Sequence, residues 1–206
     1  MRKIGVILAR LQPIHNGHLA LIEKSIQENE ETYVFVGSAN KFNQRNPLPI
    51  HLRMDLAKEA FKEKFMWDEE NNCVMKQYED LPCKNKKLFL IPLDDLTSEG
   101  DNSHTWGFYF YSNVVTATQC SNFTIYYSDG FEIITTWFPS YILRNNVSLS
   151  LLARGATVDG ISATKIRESI VNGDDELLKK YVPTTVFEHR DVIKNHIDLS
   201  NLIKFN

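Results

Sequence analysis

The chain has 206 residues, 43% of them apolar, which is enough to bury a sizeable core in one compact domain. A formal net charge of −3 leaves no electrostatic footprint for nucleic acid, and no apolar run approaches the length needed to span a membrane. The three cysteines, Cys73, Cys83 and Cys120, are odd in number and lack CxxC spacing, which argues against a disulfide framework or a zinc site and fits a reducing cytoplasm.

The first apolar run, Ile4 to Ala9, predicts a buried strand near 3–9. It is too short for a signal h-region and leads directly into Arg10-Leu-Gln-Pro-Ile-His15-Asn-Gly17-His18. Leu19, Ile22 and Ile26 then recur at helical spacing, predicting a helix over 17–29. The order is strand, tight polar loop, helix. It delivers two imidazoles and one arginine to a helix start whose N–H groups lack partners, the place where doubly wound α/β proteins bind phosphate. His15 and His18 are three residues apart and project to one side of the first turn. Gly17 leaves the backbone open to a ligand, and Pro13 stiffens the approach. Two ring N–H donors, Arg10 and the helix start can stabilise a polyphosphate during transfer without a covalent intermediate. The same residues also read as a zinc-binding pair, although no Cys or acidic ligand sits nearby, or as a surface loop with two solvated histidines. Neither GxxxxGK[ST] nor GxGxxG occurs.

Further strands are predicted near 33–38, 88–92, 123–128 and 148–153. Helices are predicted near 50–64, 104–119, 131–137, 162–171, 174–181 and 185–196. This alternation predicts an α/β fold: a Rossmann-like, doubly wound parallel sheet of five strands, helices on both faces and right-handed crossovers. One domain over 1–206 is expected, with a loop-rich insertion or β-hairpin at about 65–87 and a C-terminal helical segment at about 162–196. Ligands on this scaffold sit at the carboxyl ends of the strands, where Ser38, Asp95 and Asp129 fall. Asp95 reads either as a helix cap or as a ligand for a ribose or carboxamide, and Asp129-Gly130 also reads as a plain turn.

A second constellation lies near the other end, Gly160-Ile161-Ser162-Ala163-Thr164-Lys165-Ile166-Arg167. Ser162 is a natural N-cap, and Ile166 and Ile170 give the new helix an apolar stripe. The Ser162 and Thr164 hydroxyls, the first-turn amides, Lys165 and Arg167 would form another anion site. Alone, Ser-x-Thr before a helix is usually only a cap. Two such helix starts at opposite ends of an alternating chain point together to one phosphate-handling site.

His15-Asn-Gly-His18 and Ile161-Ser-Ala-Thr-Lys-Ile-Arg167 resemble the paired HxGH and ISxTxxR signatures of the nucleotidylyltransferase superfamily. The longer stretch Arg10 to His18 resembles the GRFQPFHxGH loop of archaeal-type nicotinamide mononucleotide adenylyltransferases. Gly37-Ser38-Ala39-Asn40 with Asn46-Pro47 and Arg53 is similar to that group's GSA…NPF…ER segment, and Ile91-Pro-Leu-Asp-Asp95 to its IPVPD strand end. Trp106 lies where the group places a tryptophan beside the nicotinamide, although it also reads as a core residue. The resemblance runs from about Ile4 to about Pro183 and is loosest in the middle. Ala9 and Ala163 stand where glycines are usual, and Leu11 where phenylalanine is usual.

The resemblance implies an enzyme that joins ATP to nicotinamide mononucleotide, giving NAD and pyrophosphate. ATP is then expected over Leu11, Gln12 and Gly17, with Ser162, Thr164, Lys165 and Asp129 as further contacts and Mg²⁺ accompanying the triphosphate. His15, His18, Arg10 and Arg167 take the catalytic roles; Ser38, Arg53, Asp95 and Trp106 take the acceptor, with Arg53 placed at a phosphate. No protein-bound metal, nucleic acid or membrane partner is expected, and assembly into a homo-oligomer stays open. Nicotinate mononucleotide, phosphopantetheine or a sugar or polyol phosphate are alternative acceptors. A non-catalytic nucleotide sensor is the alternative from another class.

Overall fold

Strands such as Ile4–Ala9 (β1) and Glu31–Val36 (β2) are apolar at nearly every position because both their faces are covered. The computed structural model describes residues 2–77, 86–96, 103–128, 132–153 and 161–202. Along the chain β1 is followed by α1 (Asn16–Glu28), β2, α2 (Ile50–Phe65), β3 (Trp67–Asp68), β4 (Cys73–Val74) and β5 (Lys87–Pro92). Then come α3 (His104–Thr118), β6 (Phe123–Ser128), a 3-10 turn at Glu132–Thr136, α4 (Ser140–Asn145) and β7 (Val147–Leu152). Among the described residues, α5 (Ala163–Asn172), α6 (Asp175–Tyr181), α7 (Thr184–Glu188) and α8 (Arg190–Leu202) follow.

The sheet order is β3-β4-β5-β2-β1-β6-β7. The five longer strands pair in parallel, in register Ile4 with Glu31, Glu31 with Lys87, Gly5 with Thr124 and Phe123 with Val147. These are the five strands expected from sequence, within two residues at each end. The sheet itself has seven, because the insertion contributes a short hairpin, β3 and β4, that adds antiparallel to the edge of β5. Two-residue strands carry no readable alternation, so their pairing follows from the neighbouring edge and not from their own sequence.

Alternate side chains build two cores. Ile7, Val34, Val36 and Leu88 face α1, α2 and the C-terminal helices; Ile4, Val6, Phe35 and Ile125 face α3, α4 and the 3-10 turn. Gly107 allows the closest approach on that second face, since a Cβ there would lie 1.8 Å from the Trp137 carbonyl oxygen. Three helical expectations are revised. Where a helix was expected at 131–137 the described residues form a 3-10 turn at Glu132–Thr136, α4 was not anticipated, and 185–196 is two helices divided at His189. Alpha4 has six residues, too few for a 3.6-residue period to register.

Strand order reverses beside β1, with β2 and β5 on one side and β6 and β7 on the other. In open α/β sheets this reversal opens a crevice beyond the carboxyl ends of the central strands. The loop from Arg10 to His15 starts there.

Candidate active site

Helix α1 begins in an unusual way. His15 is its N-cap, and the His15 Nδ1 accepts a hydrogen bond from the Gly17 N–H at 3.1 Å. His18 reciprocates: its Nδ1 accepts from the His15 N–H at 3.3 Å. The motif therefore caps its own helix as a reciprocal box, a task that Ser or Thr with Glu or Gln usually performs. The two rings stack with centroids 3.8 Å apart and planes 27° from parallel. With both Nδ1 atoms accepting, the proton of each neutral ring resides on Nε2. The fold thus selects one tautomer for both histidines. Gly17 lets the two rings and the second motif approach closely, since a Cβ would stand 3.0 Å from His15 Cε1 and 3.3 Å from Ile161 Cγ2 and would push a neighbour aside by a few tenths of an ångström. Ile161 leads into α5, so the two sequence motifs meet at this glycine.

At the second motif, the Ser162 hydroxyl caps α5 by accepting from the Lys165 N–H at 3.3 Å. Arg167 Nη1 donates to the Gln12 carbonyl at 2.8 Å, and its Nη2 donates to Thr164 Oγ1 at 3.3 Å. Thr164 and Lys165 are exposed. Arg10 is exposed as well, and it lies close enough to act on two other arginines. Burial first, and then the Arg10 charge, lower the Arg167 pKa. The same two causes push Arg53 down to about 10, with Asp95 acting in the opposite sense. Three guanidinium groups and two helix N-termini are thereby gathered at the carboxyl end of β1, a concentration of positive potential suited to a polyphosphate.

Several residues expected to touch ligand are also built into the scaffold. Arg53 is fully buried; it donates to the carbonyls of Arg10 (2.8 Å), Gly37 (2.8 Å) and Ser38 (2.9 Å), so its guanidinium ties two loops together and does not present itself to a phosphate. Leu11 has φ 50° and is buried as a whole, with its side chain in the core. Gln12 is 3% exposed and pairs its amide with the backbone of Leu48. Trp106 is 7% exposed and packs edge-on against Trp137 with centroids 6.1 Å apart. The core packing that the sequence also allowed for Trp106 is therefore present, with its ring edge-on to Trp137. Asp129 lies outside the described residues.

Ser38, in the left-handed region at φ 52°, donates to Asp95 Oδ1 at 3.1 Å. Asp95 Oδ2 is buried with no hydrogen-bond partner among the described residues. Asn40, part of the Gly37–Asn40 segment but given no role from sequence, holds the Asp95 backbone: its Oδ1 accepts from the Asp95 N–H at 3.0 Å and its Nδ2 donates to the Asp95 carbonyl at 3.3 Å. Its place directly after Gly37-Ser38-Ala39 at a strand end is the signal that could have found it. Ser38, Arg53 and Asp95 thus join the first loop through the Arg10 carbonyl, whereas Trp106 belongs to the core on the other face of the sheet.

Among the described residues no group of three or more His, Cys, Asp or Glu side chains could hold a metal ion. Nor is any described helix long and apolar enough to cross a membrane.

Residues 9–169 match the family described as cytidylyltransferase-like. The chain belongs to that family. It is a nucleotidyltransferase, and the match spans both the His15–His18 and the Ser162–Arg167 motifs. This nucleotidyltransferase is 24% identical over 209 residues to a nicotinamide-nucleotide adenylyltransferase of Thermococcus kodakarensis, covering 98% of this chain and 92% of that one. Its fold is shared with a bifunctional NMN adenylyltransferase/ADP ribose pyrophosphatase of Francisella tularensis complexed with AMP and a manganese ion. There the TM-score is 0.66 at 16% identity over 98% of this chain, which spans about half (52%) of the Francisella chain. A putative nicotinate-nucleotide adenylyltransferase of Vibrio parahaemolyticus superposes with TM-score 0.59 at 14% identity, covering 92% of this chain and 99% of that one.

Proposed function

We propose that this nucleotidyltransferase transfers AMP from ATP to nicotinamide mononucleotide, forming NAD and releasing pyrophosphate. The observation that carries the reading is the pair of stacked, mutually capping histidines, whose Nδ1 atoms are both committed as acceptors at a helix start. The choice of acceptor is supported by the likeness to the Thermococcus enzyme along almost the whole chain.

The substrate is ATP with its Mg²⁺, the cation riding on the triphosphate oxygens. Arg10, Lys165, Arg167 and the starts of α1 and α5 bind the phosphates, with Gly17, Ser162 and Thr164 lining the approach. The acceptor's 5′-phosphate oxygen attacks the α-phosphorus in line. The bond from the α-phosphorus to its bridging oxygen breaks, and pyrophosphate leaves. That attacking phosphate is already ionised near neutral pH, so no general base is needed. His15 and His18 donate from Nε2 to the α-phosphate oxygens as charge builds there, which is the largest kind of contribution such donors make. Ser38 and Asp95 border the acceptor side. The cytoplasm remains the proposed compartment.

Nicotinate mononucleotide is the second reading, favoured by the likeness to the Vibrio fold. One assay separates the two: pyrophosphate release with ATP and Mg²⁺, offering nicotinamide mononucleotide, nicotinate mononucleotide or no acceptor. Release that depends on nicotinamide mononucleotide, with NAD appearing in step, is the expected result. Release with the acid alone would transfer the assignment to nicotinate mononucleotide. Silence with both, while ATP still binds, would overturn the pyridine reading.

A further inference from the structure

Gln12 is uncharged, lies between Arg10 and His15, and is almost wholly buried at 3% exposure. Its amide pairs at both ends with a single backbone residue. Leu48 N–H donates to Gln12 Oε1 at 2.9 Å, and Gln12 Nε2 donates to the Leu48 carbonyl at 3.2 Å. Its own carbonyl accepts from Arg167 at 2.8 Å. One residue therefore joins the first loop to the segment entering α2 and to the start of α5.

The arrangement has a second half. Arg53 holds the Gly37 and Ser38 carbonyls against that of Arg10, so the loop 37–48 is pinned to the first loop at both of its ends. Arg53 fastens the beginning and Gln12 the end. Between the pins the loop carries Ser38 and Asn40, whose hydrogen bonds organise Asp95.

We propose that Gln12 is a positioning residue: its paired hydrogen bonds with Leu48 set the separation between the helix start that holds the ATP phosphates and the loop that borders the acceptor. The inference rests on the transfer reaction proposed above. At 3% exposure the Gln12 amide presents almost no surface through which ATP could reach its remaining N–H or lone pair. In-line transfer needs the reacting atoms about 3–3.5 Å apart, and a misplacement of about 1 Å can lower the rate by about 10². A loosened loop therefore acts on turnover while leaving ATP binding in place.

The test uses the full-length protein with Gln12→Met, which keeps volume and removes both hydrogen bonds. Gln12→Glu is the second variant; it retains an acceptor for the Leu48 N–H and loses the donor, and it serves if the Met variant does not fold. Both should lower kcat by roughly 10–10² and raise the acceptor KM, with the ATP KM within about threefold of wild type. Hydrogen exchange supplies a readout independent of activity: the Leu48 amide should be protected in wild type and exchange faster in Gln12→Met. Wild-type kcat in both variants would overturn the proposal. So would a defect confined to the ATP KM, the signature of a direct ATP ligand. If the wild-type protein itself releases no pyrophosphate with any pyridine mononucleotide, the transfer reading fails by itself. Exchange then decides on Gln12: faster exchange with unchanged ATP affinity sustains the clamp, and unchanged protection overturns it.

Discussion

Replacing His18 by Asn separates two roles that one ring combines. The asparagine Oδ1 is attached to Cγ as the histidine Nδ1 is, so it can accept the same His15 N–H, now bonded at 3.3 Å. What it lacks is any donor at the position of Nε2. His18→Asn should therefore keep its stability within about 0.5 kcal/mol of wild type. Turnover should fall by about 10²–10³, equivalent to about 2.7–4 kcal/mol of transition-state stabilisation. His18→Ala should lose the same turnover and also the cap, costing about 1 kcal/mol of stability. In a chain of this length that lowers Tm by roughly 2–4 °C. Initial rates of pyrophosphate release at saturating ATP, Mg²⁺ and acceptor give the first quantity, and urea unfolding gives the second. Wild-type turnover in His18→Asn would refute the role of Nε2. Equal stability of the Ala and Asn variants would refute the reciprocal cap.

Gly17→Ala should lower kcat by about tenfold, because the new methyl, 3.0 Å from His15 Cε1, displaces a catalytic ring by a few tenths of an ångström. Unchanged steady-state kinetics would mean that the ring can yield freely. Arg167→Lys keeps the charge but cannot serve the Gln12 carbonyl and Thr164 Oγ1 together in the planar geometry of a guanidinium. Its kcat/KM should drop by about 10–10² with about 1 kcal/mol lost in urea unfolding, and a fully active variant would contradict the bridging geometry. Trp106→Ala should destabilise the fold by about 3–5 kcal/mol, as large-to-small core changes do. Wild-type stability with a raised acceptor KM would return Trp106 to the stacking role. Tyr126→Phe removes a hydroxyl that accepts from Asn29 and donates to Glu28, both at 2.8 Å, away from the site. It should cost about 1 kcal/mol while leaving kcat at the wild-type value, and a loss of turnover would show the two regions to be coupled.

The apolar runs at Ile4–Ala9 and Phe123–Ser128 and the helical spacing of Leu19, Ile22 and Ile26 were legible because strand and helix periods are written in neighbouring residues. So was the pair of helix starts, since a cap and its first turn span only a few positions. Beta3 and β4 and the six-residue α4 carry too few residues for either period. The role of Asn40 was not legible because its partner, Asp95, is 55 positions away.

By itself, then, the sequence determined the alternating α/β order, the central strands and the two helix starts, His15–His18 and Ser162–Arg167, that meet in the structure. The tertiary structure alone decided that Arg53 and Gln12 support the site from beneath and that Trp106 lies in the core. The Gln12–Leu48 pair spans 36 residues and the Arg167–Gln12 bond spans 155. Contacts at such separations depend on how layers pack, and packing exists only once strands, helices and loops have been brought together.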